Sequence, residues 1–216
     1  MGQKVNPTLL RTGPVYNWNS RWFDDKKYKE TLLQDYTLRK VLMERLKNAG
    51  IARVEIERSI NSIKVITYVS KPGMVIGRGG AGAEETKRFL QDILRKKNKA
   101  KNLPKLDLLI EPVKEPNLDA YLVAKNISDA LVRRMPYKRV IGQASERVMA
   151  SGAKGVRIVL SGRIAGAEIG RREKIQKGTV PLSTIRERVT YASTPALTQK
   201  GYIGVKVWIN KTEDKE

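Results

Sequence analysis

The six residues Gly77-Arg78-Gly79-Gly80-Ala81-Gly82 carry the most legible chemistry of the chain. Glycine has no Cβ, so a run of glycines lets main-chain N–H groups come close to an anion. Arg78 adds a permanent positive charge beside them. The chemistry on offer is phosphate binding, and two templates fit the letters. Gly77, Gly79 and Gly82 satisfy G-x-G-x-x-G, a dinucleotide fingerprint. That fingerprint needs a strand running into the loop, a helix leaving it, and an acid about 20 residues on, all in a parallel βαβ unit. Here Pro72-Gly73 breaks the strand early, the nearest strand-end acid is Glu111, and no βα alternation follows. Gly77 to Gly80 satisfy the shorter G-x-x-G, which clamps the backbone of about four nucleotides. Context favours the second template; a glycine turn without a ligand is the bland alternative.

A second group of residues is marked by charge. Between Arg133 and Lys177 there are twelve Lys/Arg and three Glu. Arg133 and Arg134 close one expected helix, where cations also suit the helix dipole. On the next helix Lys138, Arg139 and position 142 share a face by the i, i+3, i+4 rule, and position 142 is Gly142. Lys154, Arg163, Arg171, Arg172, Lys174 and Lys177 continue the basic set, most of them in the glycine-rich run 161–178. For any single residue a solvated face explains as much as a binding role. For the set, the near absence of acids points to phosphate contacts, which set affinity and register without reading sequence.

The whole composition agrees. The 216 residues hold 43 Lys+Arg against 22 Asp+Glu, a formal net charge of +21. So large an excess repels itself and calls for a polyanion, nucleic acid first and an anionic membrane surface second. His and Cys are both absent, which removes Cys/His zinc sites, disulfides, thiol nucleophiles and histidine acid–base chemistry. The adjacent acid pairs Asp24-Asp25 and Glu84-Glu85 read as helix N-terminal charges. No Gly-Lys-Ser/Thr follows a glycine loop, so no Walker A is present. No apolar run approaches the roughly 18 residues of a membrane span. No enzyme, no cofactor, no metal and no small-molecule substrate are expected.

The elements that must position these residues fall into an α+β pattern. Residues 1–23 lack a period and read as an N-terminal arm; Trp18 and Trp22 either stack on bases or pack on the protein's own body. A helix is expected from Thr37, with Leu38, Val41, Leu42 and Leu46 inward, and Gly50 as its cap. A hairpin follows, Val54 and Ile56 alternating in its first strand and Ile63, Val65, Thr67 and Val69 in its second. After the glycine cluster a helix from Ala83 turns Phe89, Leu90, Ile93 and Leu94 inward, and Leu106, Leu108 and Ile110 form a strand. Pro112 and Pro116 mark a linker. Helices at 117–134 and 137–151 and strands at 156–160, 169–175, 188–192 and 203–209 complete a second domain. The expected division is an arm at 1–23, a first domain at 24–112, a second at 113–210 and a polar tail at 211–216.

The order helix, strand, strand, short helix, G-x-x-G, helix, strand is similar to a type II KH domain. That loop usually carries a basic residue at one or both middle positions; Gly79 takes the second here. Beyond it, the chain resembles the small-ribosomal-subunit protein S three family over nearly its whole length. The segments that carry the resemblance include Met1-Gly2-Gln3-Lys4-Val5-Asn6-Pro7, Trp18-Asn19-Ser20-Arg21-Trp22-Phe23 and Val75-Ile76-Gly77-Arg78-Gly79-Gly80. Leu118-Asp119-Ala120, Gly152-Ala153-Lys154-Gly155, Ser161-Gly162-Arg163, Val180-Pro181-Leu182 and the run 201–209 follow in the same order.

The resemblance implies a type II KH domain followed by a two-layer α+β domain, two helices on a mainly antiparallel sheet. It implies a bacterial-type protein of the small-subunit head, in the cytoplasm or in an organelle. Small-subunit ribosomal RNA, messenger RNA and small-subunit proteins ten and fourteen are the implied partners. It also implies a basic cluster where messenger RNA enters the subunit, opening structured messages without nucleotide hydrolysis. That cluster falls on Lys138, Arg139 and position 142, where the family has Lys and this chain has Gly142. The competing reading is a free KH-domain RNA chaperone or ribosome-maturation factor.

Overall fold

A computed structural model describes residues 4–97 and 104–212. Met1-Gly2-Gln3 of the first motif and residues 213–216 of the expected tail lie outside them. The chain forms two compact units, one of residues 18–114 and one that joins residues 1–17 to residues 115–216.

Residues 4–17 are anchored rather than free. Asn6 caps a one-turn helix, α1 (Pro7–Leu10), its Oδ1 accepting from the Thr8 N–H at 2.9 Å. Arg11 is fully buried after it. Its guanidinium donates to the carbonyls of Pro7 (3.0 Å), Pro181 (3.0 Å), Leu182 (3.3 Å), Thr184 (2.7 Å) and Glu187 (2.7 Å). The residues read as one arm therefore divide: 4–17 fold with the second half of the chain, and 18–23 with the first unit.

In the first unit β1 (Ser20–Arg21) pairs parallel with β2 (Ile51–Arg58). Between them runs α2 (Tyr28–Arg45), which starts nine residues before the expected Thr37. Its early turns leave Leu32, Leu33 and Tyr36 exposed and so show no apolar stripe. A polar anchor holds them: buried Asp35 accepts from Trp22 Nε1 at 2.8 Å and from Arg58 Nε at 2.7 Å. β2 pairs antiparallel with β3 (Ser62–Val69), as the alternation predicts. Then come α3 (Pro72–Ile76), the glycine loop, α4 (Ala81–Lys97) and β4 (Lys105–Pro112), which lies parallel beside β3. Leu38 and Leu42 of α2, Leu90 and Leu94 of α4, and Ile56, Val65 and Leu106 of the sheet close the core. This is the type II KH order.

In the second unit Asp119 caps α5 (Ala120–Val132), accepting from the N–H groups of Tyr121 and Leu122. α6 (Tyr137–Ala150) follows. The sheet holds β5 (Gly155–Gly162), β6 (Arg171–Gly178), β7 (Val189–Thr198) and β8 (Gly201–Asn210), in the order β6-β5-β8-β7 and antiparallel throughout. Val156, Ile158 and Leu160 of β5 and Ile203, Val205, Val207 and Ile209 of β8 meet Val123, Ile127, Ile141 and Val148 of the two helices. The opposite face is covered only in part, where Val180, Leu182 and Tyr191 pack on Val159 and Trp208. β7 continues to Thr198, beyond the expected 192, and passes through Pro195. It is an edge strand, where a residue without an N–H is tolerated.

Candidate nucleic-acid interface

The glycine loop is held by the two helices it joins. Gly77, Gly79 and Gly80 have φ of 69°, 61° and 83°, the left-handed region that favours glycine. At Gly79 and Gly80 a Cβ would meet nothing within 4 Å, so it is the backbone path and not crowding that selects glycine. Gly82 is the opposite case: a Cβ there would lie 2.7 Å from the Val75 carbonyl oxygen. Its absence lets the start of α4 close against the end of α3. Buried Thr86 donates to the Gly82 carbonyl at 2.8 Å and tightens the same turn. On this base Arg78 is exposed and enters no ion pair among the described residues. Exposed Met74 and Ile76 flank it with apolar surface. The two acids at the start of α4 are matched by cations, Glu84 with Arg88 at 3.7 Å and Glu85 with Arg45 at 2.6 Å. Exposed cation, open main chain and adjacent apolar surface are what a single strand of RNA requires.

The second unit presents its basic residues differently. Lys138 and Arg139 stand in the first turn of α6, both exposed. That turn has no acid, and its cap residue, Pro136, provides no side-chain hydrogen bond. Cations at the positive end of a helix dipole are unfavourable by roughly 0.3–1 kcal/mol each. Helix stability therefore does not explain them. Gly142 follows on the same face, with open space where a Cβ would stand. Arg133 caps α5, where its charge is favourable, and Arg134 follows at φ 63°. Arg134, Lys138 and Arg163 come together around one cavity of about 710 Å³.

The rest of the basic set does not form one patch. Arg171 and Lys177 share the parity of Ile175, which packs toward the helices; Arg172 and Lys174 point to the other face. Lys154 and Lys177 are taken up by Glu187 (3.5 Å) and Glu146 (3.3 Å). Arg163 Nε donates to the Ala167 carbonyl at 2.9 Å and orders its own turn.

Sequence reasoning missed three further residues. Lys200, in the β7–β8 turn, lines the cavity with Arg163; it is isolated in sequence and carries no local signal. Lys206 stands on β8 in the row Lys174–Val159–Lys206, given by the strand registers. Exposed Tyr202 shares its face. Lys206 belongs to the polar phase of the alternation along 203–209 and is legible from it.

Two family models match: "KH domain" over residues 37–118 and "Ribosomal protein S3, C-terminal domain" over residues 127–209. The small ribosomal subunit protein uS3 of Lactobacillus acidophilus is 44% identical over 213 residues, 99% of this chain and 92% of that protein. The uS3 of Caldicellulosiruptor saccharolyticus is 44% identical over 212 residues, covering 98% and 92%. The chain belongs to the uS3 family. The uS3 of Clostridioides difficile is 46% identical over 211 residues, 97% of this chain and 75% of that protein. A structural, RNA-binding place in the small ribosomal subunit goes with uS3 membership, and a catalytic task does not.

Proposed function

We propose that this uS3-family chain binds ribosomal RNA in the head of the small subunit and meets messenger RNA where it enters. The G-x-x-G loop, Gly77 to Gly80, holds single-stranded RNA through its main chain, with Arg78 on phosphate. Lys138 and Arg139 face the incoming message and favour its unpaired form. Arg133, Arg134, Arg163, Arg172 and Lys174 contribute phosphate contacts. Small-subunit proteins ten and fourteen are its protein neighbours. The cytoplasmic ribosome is its place, in keeping with the bacterial relatives.

The observation that carries this reading is the pair Lys138 and Arg139, exposed, without an acid in their turn, and placed where the dipole opposes them. A polyanion is what makes that arrangement favourable. Changing both to Ala is expected to slow translation of messages with stable hairpins more than unstructured ones. Equal slowing of both would assign the pair to assembly instead.

A further inference from the structure

We propose that the cavity enclosed by the α5–α6 turn, the turn at 163–166 and the β7–β8 hairpin seats one unpaired nucleotide of RNA. The proposal rests on the RNA-binding reading above and gives it a specific pocket. At about 710 Å³ the cavity has the size that encloses a small ligand. Buried Ile164 and Ile203 form its floor, and Met135 and Leu197 stand in it 39% and 59% exposed. Arg134, Lys138, Arg163 and Lys200 surround that apolar surface, and no Asp or Glu lines it. A nucleotide uses both features at once, its flat base against the apolar floor and its phosphates among the cations.

The backbone singles out the same place. Arg134 (φ 63°) and Ala165 (φ 56°) are the only non-glycine residues with positive φ among the described residues, and both line this cavity. Arg134 N–H donates to the Leu131 carbonyl at 3.0 Å and Met135 N–H to that of Ala130 at 3.1 Å. That is a Schellman turn with arginine where glycine is ordinary. Strain of this kind persists where a side chain is wanted, and here the side chain is a cation on the cavity wall.

Ribosomal and messenger RNA offer the same chemistry, and one experiment separates them. The chain has no cysteine, so Gln199→Cys creates a single attachment point for a short photo-cross-linker at the cavity. Small subunits assembled with it are irradiated with and without bound message, and the linked RNA is mapped by reverse transcription. One dominant stop is expected. A ribosomal RNA stop in both samples identifies that source; a stop in the message only when it is loaded identifies the other. Leu197→Trp, which fills the cavity from an exposed position, should lower the yield about tenfold. Val132→Cys, also at the cavity, repeats the test from the opposite wall. Cross-links to a neighbouring protein in place of RNA, no product from either position, or a yield indifferent to Leu197→Trp would each overturn the proposal. Failure of the unaltered chain to sediment with small subunits would sink the ribosomal reading itself.

Discussion

Arg11 Nε donates to the main-chain carbonyl of Glu187 at 2.7 Å, across 176 residues of sequence. The same guanidinium reaches four more carbonyls and is fully buried. Its charge is balanced by oriented main-chain dipoles rather than by a carboxylate. Arg11→Ala strands those acceptors and should lower the stability of the second unit by about 3 kcal/mol. Arg11→Lys should recover little, because an ammonium lacks the planar five-donor fork. Urea unfolding of the full chain, followed by the Trp208 signal, checks both.

Asp35 plays the corresponding part in the KH unit, holding Trp22 and Arg58. Asp35→Ala leaves the Arg58 guanidinium, only 12% exposed, without its carboxylate and should cost about 3 kcal/mol in that unit. The transition reported by Trp22 fluorescence should move to lower denaturant while that of Trp208 stays. Movement of both together would show that the two units unfold as one.

Gly142 occupies a helix interior with open space at its Cβ position. Gly142→Lys should stabilise α6 by roughly 0.5–1 kcal/mol through helix propensity. It also extends the row of Lys138 and Arg139, so RNA affinity should rise and depend more steeply on salt, by roughly 0.7 in log–log slope. Binding measured at several salt concentrations reads the slope directly. A stabilised helix with an unchanged slope would remove position 142 from the interface.

The loop glycines should separate by role. Gly82→Ala drives a Cβ against the Val75 carbonyl and should weaken both folding and RNA binding. Gly79→Lys meets no neighbour, but at φ 61° it should cost about 1 kcal/mol of stability. It adds a second charge and should tighten single-stranded RNA. Arg78→Asp with Gly79→Asp should weaken RNA binding without altering the circular-dichroism spectrum. Unchanged affinity would remove the loop clamp.

Arg134→Gly should exchange function for stability. Glycine relieves the left-handed position and should raise the stability of the second unit by about 1 kcal/mol. Loss of the cation should weaken RNA binding by the free protein. A variant that is both more stable and equally tight would show that the arginine serves neither purpose.

What the sequence made legible follows from what leaves a local trace. The KH order and the last strand rest on periodicity, and Ile203, Val205, Val207 and Ile209 are buried as their alternation requires. The first two turns of α2 leave no such trace, because Asp35 anchors them through Trp22 and Arg58 instead of an apolar stripe. β7 extends past the expected 192 through Pro195, a residue that fits a strand only where the strand is an edge. In the interface, Lys138 and Arg139 were visible as neighbours on one helix face. The association of Lys138 with Arg163 and Lys200 is not visible there, since it depends on a helix turn, a strand end and a hairpin meeting in space. The separation of Arg171 from Arg172 onto opposite faces needs only the parity of β6, and a run of cations hides it.

The seat of Arg11 sets a schedule for synthesis. Residues 18–114 are contiguous, so the KH unit can close while the rest of the chain is being made. Arg11 must wait for residue 187, a delay of roughly ten to thirty-five seconds at ordinary elongation rates. During it, α1 has no sheet to pack on. A chain halted before residue 187 would therefore carry a finished KH unit and an unfinished second unit. Such a fragment could compete for RNA without supplying the second contact, which makes full-length synthesis a condition for correct incorporation as well as for stability.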